Sequence, residues 1–271
     1  MTTLKSPDGV TLWYEDSGDG LPIVFIPGLG MNSWHWKYQQ ELAASHRVIT
    51  LDPRGHGRST KEEKGLTLRQ TAMDVQQLLV HLNLTDVTLV GWSMGAFVLY
   101  EYVALFGSDR LKALCSVDMT PRNTLTDGWK LAVFGNLEPA AVIGAAGGMI
   151  DDKEVWLRGL SVACFAPDNV PPDEVVDSWT RNSLTVSLVS LLAFWIDLAR
   201  SDWREFVSTI EIPTLLAHGA KSLAVPAEAG EWLSRTMPNS TLVMFENSGH
   251  APFWEEPERF NDELRAFIAS H

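Results

Sequence analysis

The chain has 271 residues and a formal net charge of −13, with 21 Lys and Arg against 34 Asp and Glu. That charge speaks against nucleic acid or an anionic membrane surface as a partner, because gripping phosphates needs a basic face. Hydrophobic residues at 45 % and charged residues at 20 % mark a globular chain able to bury a sizeable core, not a disordered one.

Taken in order, the chain alternates short apolar runs with longer helical patterns. Thr11–Tyr14, Ile23–Ile26 and Val48–Leu51 read as strands, the last followed by Asp52-Pro53. Leu68–Leu82 carries apolar residues at helical spacing, with Met73, Leu78, Leu79 and Leu82 available for one face. Then come a strand at Val87–Val90, a helix at Ala96–Phe106 and a strand at Ala113–Val117. Further strands are predicted at Thr214–His218 and Thr241–Phe245, and a closing helix at Arg259–Ala269. Alternation of this kind implies a mostly parallel sheet covered on both faces, an α/β fold.

The rhythm breaks from about Pro121 to Phe206, where helices are expected at Trp129–Phe134, Pro139–Ile150, Glu154–Cys164 and Asp173–Ala199. An all-helical insertion suggests a core made of residues 1–121 and 207–271 with a helical lid over 122–206. No apolar run reaches the roughly 18 residues of a membrane span. Met1–Glu15 lacks the apolar stretch of a signal peptide, so a cytoplasmic protein is expected. Cys115 and Cys164 sit in apolar surroundings and read as buried free thiols, with a disulfide as the alternative.

Gly91-Trp92-Ser93-Met94-Gly95 fits G-x-S-x-G between a strand and a helix. A sharp strand-to-helix turn exposes the serine Oγ and brings the residues two before and two after against neighbouring backbone, so both must be small. Pro27-Gly28-Leu29-Gly30 follows a strand, Asp52-Pro53-Arg54-Gly55-His56-Gly57-Arg58-Ser59 forms a turn-like run, and Ser248-Gly249-His250 precedes Pro252, Glu255 and Pro257. In this order the four motifs resemble the α/β-hydrolase superfamily over nearly the whole chain, in its esterase, lactonase and non-haem haloperoxidase-like branch.

The resemblance implies Ser93 as nucleophile, His250 as its base, and the N–H groups of Leu29 and Met94 as oxyanion donors. A serine hydroxyl needs such a base, and each oxyanion donor is worth about 3–4 kcal/mol. Among the other histidines, His35, His46, His81 and His271 read as surface or packing residues and His56 as part of its turn, while His218, ending a strand, could line the pocket.

The acid departs from the family's commonest pattern, G-x-x-D-x-x-x-P. Here that stretch is Gly219-Ala220-Lys221-Ser222-Leu223-Ala224-Val225-Pro226, with Ser222 in the acid's place. Asp118 follows the strand Ala113–Val117, where haloalkane dehalogenases, certain lactonases and cofactor-free dioxygenases of the family carry theirs. Asp118 is therefore assigned as the acid, ahead of Glu228 and Glu246. Trp92, Trp129, Trp156, Phe165, Trp179, Phe194 and Trp195 cluster in the insertion or beside Ser93. They suggest an apolar pocket, assigned to Trp92, Gly28, Trp129, Trp195 and His218, for a small to medium carboxylic ester or lactone.

No clustered His, Cys and carboxylate spacing points to a metal, and no cofactor is implied. Two other readings stay open: a cofactor-free oxygenase or perhydrolase on the same fold, and a non-catalytic ligand receptor. Dehalogenation fits poorly, because it needs a carboxylate at position 93.

Overall fold

The computed structural model describes residues 2–271; Met1 lies outside them. The strands are β1 (Thr2–Lys5), β2 (Thr11–Ser17), β3 (Pro22–Ile26), β4 (Arg47–Asp52), β5 (Val87–Trp92), β6 (Leu111–Val117), β7 (Thr214–Gly219) and β8 (Ser240–Phe245). They form one sheet in the order β1-β2-β4-β3-β5-β6-β7-β8. β1 and β2 join antiparallel, and every pairing from β4 to β8 is parallel.

All residues of β3, β5 and β7 are buried, as expected for parallel strands covered on both faces. The two-residue period of a strand divides them between two cores. Val24, Ile26, Leu89, Leu114 and Leu216 face one layer. Ile23, Phe25, Val90, Cys115 and Ala217 face the other.

The first layer is covered by α1 (Leu68–His81) and α2 (Met94–Phe106). In α1 the buried stripe is Leu68, Ala72, Val75, Leu78 and Leu79, while Met73 is 37 % exposed. Met73 thus stands off the expected face: at 100° per residue it lies well round the helix from Leu68 and Ala72.

The segment between β6 and β7 contains four helices, α3 (Pro139–Asp151), α4 (Lys153–Ala163), α5 (Asp173–Ser183) and α6 (Leu188–Arg200). Two details differ from expectation. Trp129–Phe134 is not a helix: Thr126 and Trp129 form an isolated bridge, and only Val133–Gly135 makes a short 3₁₀ turn. Gly128 and Gly135 take positive φ at 78° and 68°, which breaks a helix at both ends. The long helix expected over Asp173–Ala199 is two, meeting at 93°. Ser187 starts the second, its Oγ accepting the Ser190 N–H at 3.0 Å. Lys153 Nζ holds the break by donating to the Leu184 and Val186 carbonyls.

After β7 come α7 (Ala227–Thr236), α8 (Pro252–Glu255) and α9 (Pro257–Ser270). α7 covers the first layer through Ala229 and Leu233. α9 covers the second through Phe260, Leu264, Phe267 and Ile268, beside Trp36 and Leu42 of a 3₁₀ segment at Ser33–Ala44. No single helix among the described residues is long and apolar enough to cross a membrane.

Candidate active site

Ser93 sits at the turn from β5 to α2 with φ 54° and ψ −116°. A non-glycine residue in that region costs about 1–3 kcal/mol of strain. The turn is held from both sides: Ser93 N–H donates to the Val117 carbonyl at 3.0 Å, and Ala96 N–H donates to the Ser93 carbonyl at 2.9 Å. A Cβ on Gly91 would lie 2.4 Å from the Gly95 carbonyl oxygen, and one on Gly95 would lie 2.3 Å from that of Ile26. Neither position accepts alanine without moving backbone, which is the physical content of the two flanking glycines.

Asp118 comes one residue after β6, fully buried, with φ 43°. Its N–H donates to the Ala217 carbonyl at 2.9 Å, so β7 holds the backbone that aims the carboxylate. Three donors converge on that carboxylate. Gly219 N–H reaches Oδ1 at 2.9 Å, Ser222 O–H reaches Oδ2 at 2.7 Å, and His250 Nδ1–H reaches Oδ2 at 2.6 Å. The Ser222 Oγ in turn accepts the Val225 N–H at 3.1 Å. Ser222 therefore sits on the acid assigned from the sequence, not in competition with it. Glu246 pairs with Arg259 at 2.9 Å instead, and Glu228 is exposed in the first turn of α7.

His250 follows β8 in a loop and is buried. With Nδ1 donating to Asp118, Nε2 is left as the basic nitrogen. The loop is fixed at three points. Trp92 Nε1–H donates to the His250 carbonyl at 2.8 Å. Glu255 accepts the Gly249 N–H at 2.7 Å through one oxygen and the Ala166 N–H at 2.8 Å through the other. Ser248 O–H donates to Glu256 at 2.6 Å. Burial pushes the Glu255 carboxyl up to about 7. The double role of Glu255 could not be read from sequence, since Ala166 lies 89 positions away.

The loop at Gly28–Gly30 runs beside Ser93, with a Cβ on Gly28 falling 3.3 Å from the Ser93 Cβ. Gly30 N–H donates to His56 Nε2 at 3.1 Å, and His56 Nδ1–H donates to the Arg54 carbonyl at 3.0 Å. Burial lowers the His56 ring to about 4, keeping it neutral and able to accept. His56 is thus the anchor of this loop. Asp52 secures the same turn, accepting the Ser33 and Arg58 N–H groups at 2.8 and 2.7 Å. Among the described residues the Leu29 and Met94 N–H groups have no acceptor in the protein. Met94 is the first residue of α2, where helix N–H groups lack partners and the dipole favours negative charge.

A cavity with about 570 Å³ of empty space, counted to its open mouth, joins these parts. Gly28, Leu29, Trp92, Ser93 and His250 line it from the sheet side. Val133, Phe134, Trp156, Leu160, Trp195 and Leu198 line it from the insertion. Met31, Met119, Asn123, Cys164, Ala224 and Val225 complete it. Both cysteines are free and buried, and burial pushes their thiols up.

Two residues expected in the pocket lie elsewhere. Trp129 stacks edge-on against Trp232 at 5.1 Å and donates to the Arg122 carbonyl, because the turn at Gly128 swings it outward. His218 is fully buried behind Asp118, its Nδ1 3.7 Å from Oδ1, and Gly230 of α7 closes over the ring. Burial lowers its pKa, so it stays neutral. Trp92 lines the cavity but is 1 % exposed, mostly packed against Trp36, Trp179 and Phe253.

Comparison with known proteins agrees with this fold. A family model for the alpha/beta hydrolase fold matches residues 22–257. A non-heme chloroperoxidase of Kitasatospora aureofaciens is 30 % identical, covering 99 % of both chains. Among solved structures, an esterase from Exiguobacterium antarcticum superposes with a TM-score of 0.92 at 28 % identity, covering 99 % of both chains. A bromoperoxidase from Bacillus anthracis gives 0.90 at 27 % identity over 96 % of each. A strand-to-helix serine turn, a histidine loop after the last strand and a match over most of the chain together identify the protein as a member of the α/β-hydrolase family.

Proposed function

We propose that the protein is a serine hydrolase of small to medium apolar carboxylic esters or lactones. The observation that carries this is the 2.6 Å bond from His250 Nδ1–H to Asp118, on a histidine that borders the same cavity as the strained Ser93 turn. Ser93 Oγ attacks the substrate carbonyl carbon while His250 Nε2 takes its proton. The Leu29 and Met94 N–H groups hold the oxyanion. His250 then protonates the departing alcohol, leaving an acyl-Ser93 ester. A water, deprotonated by His250, releases the acid and restores the serine. Asp118 holds the imidazole tautomer and stabilises the imidazolium at each step.

Helices α4 and α6, with Val133 and Phe134 before them, cover the site and supply about half of its apolar wall, which favours an uncharged substrate. We read the protein as a cytoplasmic enzyme acting on a small molecule, and the reaction as written uses no cofactor. The chloroperoxidase and bromoperoxidase names among its relatives favour one second reading. Hydrogen peroxide in place of water at the acyl-enzyme would release a peracid.

The test combines p-nitrophenyl esters of graded chain length with a fluorophosphonate probe. Wild type is expected to turn over short esters and to be labelled once, at Ser93, and Ser93→Ala to do neither. Turnover that survives in Ser93→Ala would sink the assignment. Peracid release with added peroxide, measured on the same acyl donors, separates the second reading.

A further inference from the structure

Asn123 is the single carboxamide on the cavity wall. It is 3 % exposed, and its Oδ1 is buried with no hydrogen-bond partner. The loop around it is pinned by other groups. The Asn123 carbonyl accepts the Val133 N–H at 2.9 Å, and Thr124 Oγ1 donates to the Ala199 carbonyl at 3.3 Å. The side-chain amide therefore does nothing to hold its own loop. A leucine would fill nearly the same volume without leaving a polar atom unpaired, so an amide at this point weakens the resting fold. Apart from Ser93, His250, the weakly polar Cys164 thiol and the indole N–H groups of the tryptophans, the side chains on the wall are apolar. The Trp92 and Trp195 indoles already donate to the His250 and Val142 carbonyls, and an indole can only donate, so no other side chain away from the reacting carbonyl offers both an amide-strength acceptor and a donor.

An amide offers an acceptor and a donor on one rotor. A hydroxyl both donates and accepts through a single atom, so it pairs with the amide in either orientation. We propose that Asn123 is a specificity-determining residue whose amide hydrogen-bonds a hydroxyl on the substrate, so that hydroxylated esters or lactones are preferred over plain hydrocarbon ones. This deepens the proposed function and rests on it for the bond that is cleaved.

The test uses methyl esters of short unbranched acids, and acetate esters of short diols, with the hydroxyl moved along the chain. Acid release gives kcat/KM for each. At one hydroxyl position wild type should exceed the unsubstituted ester by about tenfold or more, the kind of discrimination a buried polar partner gives. Asn123→Leu, with Asn123→Ala as a second variant, should bring the ratio of kcat/KM for the hydroxylated over the unsubstituted ester down to about one, whatever happens to either value alone. An advantage that persists in both variants, or no preferred position in wild type, overturns the proposal.

The same ranking is read without turnover in Ser93→Ala, by quenching of the cavity tryptophans as each ester binds. Absence of hydrolysis in wild type would then overturn the reaction while the binding ranking still decides the role of Asn123.

Discussion

Exchanging the two residues that share a hydrogen bond at the acid should separate their contributions by about three orders of magnitude. Asp118→Asn keeps the shape but presents an amide N–H or a neutral oxygen to His250 Nδ1, and, with one acceptor oxygen left, it faces either the Ser222 or the Gly219 donor with an amide N–H. Loss of the correct tautomer and of the carboxylate charge is worth about 10⁴ in kcat, or roughly 5–6 kcal/mol. Ser222→Ala removes one of three donors to that carboxylate and orphans the Val225 N–H. A hydrogen bond to a charged group is worth about 1.5–3 kcal/mol, and only part of it bears on the imidazole, so a loss of about tenfold in kcat is expected.

The double variant Asp118→Asn with Ser222→Asp moves the carboxylate one loop over, to an atom position already within bonding distance of residue 118. It should recover about a hundredfold over Asp118→Asn alone, a partial return of the 10⁴ at stake. Steady-state kinetics on a p-nitrophenyl ester, with circular dichroism and melting curves to verify folding, measures all three. A Ser222→Ala loss equal to that of Asp118→Asn, or an Asp118→Asn variant near wild type, would refute the assignment of the acid.

Two further outcomes are expected. His56→Leu leaves the Gly30 N–H without its acceptor and should lower kcat about tenfold with little change in KM, because a transition-state donor loses its support. His56→Gln, which retains an acceptor, should restore much of it, and a rise in KM at unchanged kcat would refute this. Glu255 has its folded-state carboxyl raised to about 7 from an ordinary value of 4.5, so its contribution to stability is complete below the ordinary value and is lost as pH rises through about 7. The melting temperature of wild type should therefore fall between pH 5 and pH 7.5 relative to that of Glu255→Gln; parallel curves would exclude the carboxyl as the cause.

The strands from β2 to β8 were legible because burial demands apolar runs such as Ile23–Ile26 and Val87–Val90, which stand out in any order of reading; β1, a largely exposed edge strand at Thr2–Lys5, has no such run and was not. The serine turn and the histidine were legible because each needs local glycines or a local loop. Long-range pairs were not. The bond from Ser222 to Asp118 spans 104 positions, and a hydroxyl in an acid's place reads as a loss until the fold brings the acid to it. The outward swing of Trp129 and the break before Ser187 depend on positive-φ residues and a serine cap within apolar stretches, where helical periodicity dominates the pattern. α7 is only ten residues long, with Ala229, Gly230 and Leu233 as its buried positions, and the 3₁₀ segment at Ser33–Ala44 has a weak apolar stripe and takes its shape from what it covers.

The contact at Gly249 bears on how such an enzyme could diversify. A side chain there would collide with the Phe165 and Ala166 backbone at 2.5 Å, and the two oxygens of Glu255 bridge the same two segments. The stretch just past α4 is therefore a jig for the base as well as a boundary of the substrate chamber. Grafts that replace the cover wholesale would misalign His250 whatever pocket they carry. Grafts that keep Cys164–Ala166 and exchange only the helices before and after could change what is bound while leaving the proton-transfer geometry untouched.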